Sequence, residues 1–143
     1  MPKKKQVVHV PKGPPEHPFL SQAMRAGDFI YVSGNVGLLP GRPAHGEKGK
    51  NWMPGELISG GIQAQTRQTI ENLKTILEAA GATLDDIVKI NTFLRDVDRD
   101  FHAYNDVYQE YFKVDPPART TVEAKVLNHI LIEIECVAYK PLA

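Results

Sequence analysis

What the chain lacks narrows it first. Cys136 is the only cysteine in 143 residues, so no disulfide forms within one chain and nothing points to an oxidising compartment. Charge of one sign is not in excess: seventeen acidic residues balance seventeen basic ones, and without a positive field the surface has no general pull on phosphate backbones. The run Lys3-Lys4-Lys5 reads as a solvated terminal patch. No apolar stretch reaches the length of a membrane span and the first residues lack the apolar core of a signal peptide, so a cytoplasmic location is expected. A glycine-rich phosphate loop, a Gly-x-Ser-x-Gly elbow and a dinucleotide fingerprint are missing, so no cofactor is expected. The five histidines, at 9, 17, 45, 102 and 129, have no metal-ligand spacing, and no metal is expected.

What is present is an ordinary composition, 42% hydrophobic and 24% charged, in a length that suits one compact domain. Residues 1–17 carry Pro11, Pro14 and Pro15 and read as an arm, with strand character only from Gln6 to Val10. Residues 18–143 form the domain. Leu20–Met24 and Phe29–Gly34 predict a hairpin turning at Ala26-Gly27-Asp28. Glycines and prolines from Leu38 to Gly61 predict a long loop, with Trp52 as a hydrophobic peg and a short strand at Glu56–Ile58. Ile62, Thr66, Ile70, Leu73 and Leu77 recur at helical spacing and predict a helix over 63–80, stopped by Gly81. A single turn at Thr83–Asp86 leads to Ile87–Leu94, apolar on both faces and therefore a central strand.

Asp96 or Asp98 caps a second helix. Its aromatic face of Phe101, Tyr104, Tyr108, Tyr111 and Phe112 reads as core or subunit interface rather than a base-stacking platform. Asn105, at the edge of that stripe, requires a hydrogen-bond partner. Pro116 and Pro117 end the helix, and Ala118–Glu123 and Ile130–Tyr139 read as a closing antiparallel hairpin. In that hairpin the face bearing Arg119, Thr121 and Glu123 coincides with the face bearing Glu133 and Glu135. The fold class is α+β: two helices on one face of a mixed, mainly antiparallel sheet, whose apolar second face self-association would cover. Cys136 reads as a small buried hydrophobe. Arginine suits a carboxylate because its planar fork donates two parallel hydrogen bonds. A glutamate between Ile132 and Ile134 can hold a proton near neutral pH when desolvated. On the residues alone, a structural ion pair between Arg119 and Glu133 or Glu135 wins over a catalytic dyad, because ion pairs on sheets greatly outnumber such dyads.

The segments Pro117-Ala118-Arg119-Thr120-Thr121-Val122-Glu123 and Ile132-Glu133-Ile134-Glu135-Cys136-Val137-Ala138 resemble the signature of the Rid (YjgF) family of enamine/imine deaminases. Val32-Ser33-Gly34-Asn35, Gln65 to Leu73 and Tyr104-Asn105-Asp106-Val107-Tyr108 match in the same order, so the resemblance covers roughly residues 18–140. It implies a chorismate-mutase-like homotrimer with pockets between subunits, hydrolysing 2-aminoacrylate-like enamines or imines to 2-keto acids and ammonia without a cofactor. By resemblance Arg119 binds the substrate carboxylate, Glu133 holds the catalytic water, and Ser33, Gly34 and Asn105 line the pocket. Phe19 and Thr121 stand at further substrate-binding positions, where many members have tyrosine and cysteine. Two alternatives remain open beside it: a 2-aminomuconate-type deaminase of the same family and a trimer that binds carboxylate ligands without turnover. A ribonuclease fits poorly with zero net charge and no histidine pair.

Overall fold

The computed structural model describes residues 4–41, 45–47, 50–53 and 55–142, the two short segments by backbone alone. The chain runs through strands β1 (Gln6–Val7), β2 (Ala23–Ala26), β3 (Phe29–Asn35), β4 (His45–Glu47) and β5 (Lys50–Met53) to helix α1 (Gly61–Ala79). A 3-10 turn at Leu84–Asp86 then leads into β6 (Ile87–Leu94), helix α2 (Val97–Tyr111), β7 (Ala118–Glu123) and β8 (Ile132–Tyr139). Six strands form one sheet in the order β1-β2-β3-β8-β6-β7, while β4 and β5 pair with each other. The β6–β7 pair is parallel and the other described pairs are antiparallel, which is the mixed α+β sheet expected.

Apolar periodicity places the helices. The α1 residues Ile70, Leu73, Ile76 and Leu77 are fully buried against Ile30, Ile90, Ile132 and Ile134 of the sheet. Complete burial is worth roughly 1.5–3 kcal/mol for each such side chain. Gly81 takes φ +83° just past the C-terminus of α1, a conformation that costs residues with a Cβ. Arg25, buried beneath that end, donates to the Ala80 carbonyl at 3.0 Å and to the Lys140 carbonyl at 2.8 Å. A cation at a helix C-terminus there ties the end of α1 and the chain after β8 to β2. Asp96 caps α2 by accepting from the Arg99 amide at 3.0 Å.

Three sequence expectations need correction. The punctuated segment from Leu38 contains the β4–β5 pair, and the strand expected at Glu56–Ile58 is a lone bridge between Leu38 and Leu57. The Trp52 side chain lies outside the described residues. The strand character expected in the arm is found over Gln6–Val7, with Gln6 opposite Arg25 and Val7 opposite Met24.

The third correction matters most. β7 and β8 are not a hairpin, because β6 lies between them, parallel to β7 and antiparallel to β8. The physical reason is local: β6, α2 and β7 form a strand–helix–strand unit, whose crossover helix brings its second strand beside its first in parallel. Ile90 therefore pairs with Arg119 on one side and Cys136 on the other, and Phe93 pairs with Val122 and Glu133. Paired residues share a face, so Arg119 points toward the helices and Glu133 away from them. The expected coincidence of their faces does not occur. On the Glu133 face, Phe29, Tyr31, Val122 and Tyr139 are 40–50% exposed, four large apolar side chains on one side of the sheet.

Candidate active site

Under α2 the Arg119 guanidinium is held by a set of fixed contacts. Its Cζ lies 4.5 Å from the centroid of the Tyr108 ring, 5.2 Å from that of Tyr104 and 5.9 Å from that of Phe101. Rings at these distances attract a cation through their negative faces. The aromatic stripe predicted at helical spacing is thus both core and cradle. Nη1 donates to Asn105 Oδ1 at 2.7 Å and to the Tyr104 hydroxyl at 3.3 Å. The fully buried Tyr104 hydroxyl is itself anchored to Thr92 Oγ1 at 2.7 Å. Burial raises the Tyr104 pKa, and burial with the neighbouring Tyr104 pushes Tyr108 up to about 12, so both phenols stay neutral beside the guanidinium.

Only Nη1 is committed in this way. Among the described residues Nε and Nη2 of Arg119 make no hydrogen bond, and they form one edge of the planar fork. Among the described residues the buried Tyr108 hydroxyl has no hydrogen-bond partner, and Thr121 Oγ1, beside the Tyr104 hydroxyl, makes none of good geometry. Unmet polar groups around a charged fork are what a bidentate anion would satisfy.

The opposite face holds a cavity of about 160 Å³, with Ser33, Gly34 and Glu133 among its lining residues. The register slips between Val32 and Asn35 where β3 meets β8, so Ser33 and Gly34 form a bulge beside Glu133. Glycine leaves room there for the Glu133 carboxylate, and its φ is not positive. A Cβ on Gly34 would fall on the Glu133 carboxylate oxygen and lie 3.0 Å from its Cδ. Burial raises the Glu133 pKa, and the charge of Glu135 adds to the rise. Glu135 accepts from Asn91 Nδ2 at 3.3 Å. Cys136, on the buried face, is pushed up to about 12 by burial and is no nucleophile.

Two flanking segments shape the cavity. Asn72 of α1 donates to the carbonyls of Val36 and Leu38 at 3.0 and 2.9 Å, pinning the chain after β3. Arg95 holds the 124–131 connection: Nε donates to the Ile130 carbonyl at 2.8 Å and Nη2 to the carbonyls of Val126 and Asn128. Gln65 Oε1 also accepts the Leu131 amide at 2.9 Å. Leu127 and Ile130 are thereby carried into the cavity wall.

Residues 12–140 match the family model described as "Endoribonuclease L-PSP". The chain belongs to that family, the YjgF/RutC/Rid proteins. A RutC family protein of Pyrococcus horikoshii is 41% identical over 138 residues, covering 95% of this chain and 98% of its own. A 2-iminobutanoate/2-iminopropanoate deaminase of Dermatophagoides farinae is 35% identical over 135 residues, covering 93% and 94%. The crystal structure of a Thermotoga maritima protein described as a putative endoribonuclease superposes with a TM-score of 0.82 at 35% identity, covering 96% of this chain and 98% of that one.

The Rid-family site residues named from the sequence thus fall into two groups. Arg119, Asn105 and Thr121 belong to the helix side, while Ser33, Gly34 and Glu133 belong to the open side. Phe19 belongs to neither: it is 77% exposed, its ring 5.2 Å from that of His17, and Leu20 lines the cavity in its place. Sequence reasoning missed Tyr104 as a support for Arg119, although its place one residue before Asn105 carried the signal. It also missed Arg95 and Gln65, whose partners are backbone carbonyls and amides that no side-chain pattern reveals.

Proposed function

We propose that the chain is a hydrolytic deaminase of 2-imino acids, giving 2-keto acids and ammonia, with Arg119 and Glu133 meeting across the contact between copies of the chain. The observation that carries the reading is the Arg119 guanidinium, held through Nη1 and three rings while its Nε–Nη2 edge stays uncommitted. A fork fixed in this way is a carboxylate receptor with little ordering left to do. Glu133 lies on the other sheet face, so a single substrate reaches both groups when a second copy brings its own Arg119 to the cavity. The exposed apolar residues around Glu133 support burial of this face, and a three-copy ring gives three equivalent sites.

The chemistry follows from the two groups. Arg119 anchors the substrate carboxylate, and an enamine substrate takes a proton on carbon and gives one up from nitrogen to become the imine. Glu133, kept partly desolvated over Gly34, accepts a proton from water as the water oxygen bonds to the imine carbon. Glu133 passes that proton to the nitrogen to give the amino alcohol, whose hydroxyl proton then moves to the amine as the C–N bond breaks, so that ammonia leaves with the keto acid behind. No redox step occurs, and the water supplies the new carbonyl oxygen. The raised Glu133 pKa supports a carboxylate basic enough to take and return a proton.

The test generates 2-aminoacrylate or 2-aminocrotonate with a dehydratase and follows keto-acid release. Wild type accelerates hydrolysis above buffer, and Arg119→Ala and Glu133→Gln each fall by at least about a hundredfold. Equal rates for wild type and Arg119→Ala would reject the reading. Keto-acid binding by a protein without turnover would establish the carboxylate-binding alternative. Light scattering that gives a monomer at micromolar concentration would remove the shared site.

A further inference from the structure

The cavity beside Glu133 holds more information than the position of a carboxylate. Its walls include Pro14, Leu20, Val36, Leu38, Leu127 and Ile130, and among the described residues that line it none is a lysine or arginine. The polar side chains among them are largely turned to their own backbone. Ser33 Oγ donates to the Ser21 carbonyl at 2.6 Å, Asn35 Nδ2 to the Ser33 carbonyl at 2.8 Å and Gln22 Nε2 to the Pro14 carbonyl at 2.6 Å. His17 Nδ1 accepts the Phe19 amide at 3.1 Å. The buried Gln22 Oε1 has no partner, and as a carbonyl oxygen it repels a carboxylate.

Size and polarity agree. An apolar cavity of about 150 Å³ accommodates a benzene ring, and this one measures about 160 Å³ in the single chain, before a second copy is set against it. A methyl group would leave most of it unfilled. Leu127 is 76% exposed and Leu20 49% exposed, so both present hydrocarbon at the mouth of the cavity rather than to the core.

Resting on the deaminase reading above, we infer that this site selects 2-imino acids with bulky hydrocarbon side chains, branched aliphatic or phenyl, over those with methyl or acidic side chains. The carboxylate end is fixed on the partner's Arg119 and the imine carbon beside Glu133, so the side chain is the part of the substrate that extends along the Leu20–Leu127 wall. An acidic side chain would be placed near Glu133 with the partner's Arg119 already taken by the 2-carboxylate and no arginine or lysine among the described lining residues to offset it, and that separates this site from one for an aminomuconate-like dicarboxylate. Leu20 and Leu127 are the specificity-determining residues.

The experiment makes imino acids in situ with an amino-acid oxidase from alanine, leucine, phenylalanine and glutamate, and compares kcat/KM for their hydrolysis. In parallel, calorimetry measures binding of pyruvate, 4-methyl-2-oxopentanoate, phenylpyruvate and 2-oxoglutarate. The leucine- and phenylalanine-derived imines are expected to exceed the alanine-derived one by about tenfold or more. The glutamate-derived imine is expected to be slower than the leucine-derived one by about a hundredfold. Leu20→Tyr, at a half-exposed position, should reduce the preference for the branched side chain by about tenfold while light scattering shows the assembly intact. Turnover that favours the methyl or acidic side chain overturns the specificity and leaves the deaminase reading standing. Absence of turnover, with keto acids binding in the stated order, rejects the deaminase and retains the pocket. Dissociation of Leu20→Tyr with an unchanged ligand order would assign the leucine to the contact between copies and overturn its specificity role.

Discussion

The two halves of the site use opposite physical strategies. On the helix side a permanent charge is enclosed: rings cover the Arg119 guanidinium and hydrogen bonds fix one of its nitrogens. On the open side a group that can lose its charge is left in an apolar cavity, where burial holds its pKa up. In the proposed reaction the first half, fixed before substrate arrives, holds. The second half, with its pKa raised by burial, transfers the proton. Putting the two on opposite sheet faces also prevents them from neutralising each other within one chain. A salt bridge between Arg119 and Glu133 would quench both functions.

The largest effect comes from breaking each half in a separate chain. Arg119→Ala and Glu133→Gln should each lose at least about a hundredfold in kcat/KM. When the two variants are unfolded together and reassembled, sites that combine an intact Arg119 from one copy with an intact Glu133 from another recover measurable activity. No recovery in a verified mixed assembly would place both groups in a single-chain site. Next in size is Gly34→Ala, which forces the Glu133 carboxylate off its seat on the β3 bulge. The expected loss is about ten- to a hundredfold in kcat, since small displacements of a reacting group carry large penalties. Keto-acid binding through Arg119 should be largely retained, and an unchanged kcat would show that Glu133 does not depend on the bulge.

The same division explains what could be read from the chain before its structure. Helices α1 and α2, the Asp96 cap, the stop at Gly81 and the central place of Ile87–Leu94 were legible because each is written in local periodicity or in the chemistry of one residue. The partner required for Asn105 was legible too, and it is Arg119. Pairing of β7 was not legible by the same means. Ala118–Glu123 and Ile132–Tyr139 look alike as strands, and a short connection favours a hairpin. Only the strand–helix–strand order of β6, α2 and β7 argues for the parallel partner, and that order decides which face Arg119 occupies. Leu20 rather than Phe19 lines the cavity because alternation along the chain entering β2 depends on a register that neighbouring strands set.

Smaller effects separate positioning from chemistry. Arg95→Ala removes donors to three carbonyls of the 124–131 connection, at a cost of about 2–3 kcal/mol in unfolding free energy by denaturant titration. If the cavity wall depends on this clamp, the preference for bulky side chains falls with it, while Arg119 is untouched. Tyr104→Phe keeps the ring under the guanidinium and deletes the hydroxyl between Thr92 and Nη1. The expected change is about a fivefold rise in KM with kcat nearly unchanged, equivalent to roughly 1 kcal/mol of lost orientation. A fall in kcat with constant KM would give Tyr104 a role in the reaction itself.

The smallest effect concerns stability and isolates the open half. Burial, with Glu135 beside it, raises the Glu133 pKa in the folded chain above its unfolded value. Between those two values the folded state binds more protons than the unfolded state, so stability falls as pH rises through that window. Above the folded pKa the ionised carboxylate is a net burden on the fold, and below the unfolded pKa the burden is absent. Glu133→Gln removes it at every pH. The variant should therefore melt higher than wild type at pH 8, with the difference shrinking toward zero as the pH falls below the ordinary carboxylate range. A melting-temperature difference independent of pH would mean that the carboxylate is fully compensated in the assembled protein, as it would be with the partner's Arg119 already against it. The two outcomes thus distinguish a site that meets its arginine through substrate from one in which the two halves touch directly.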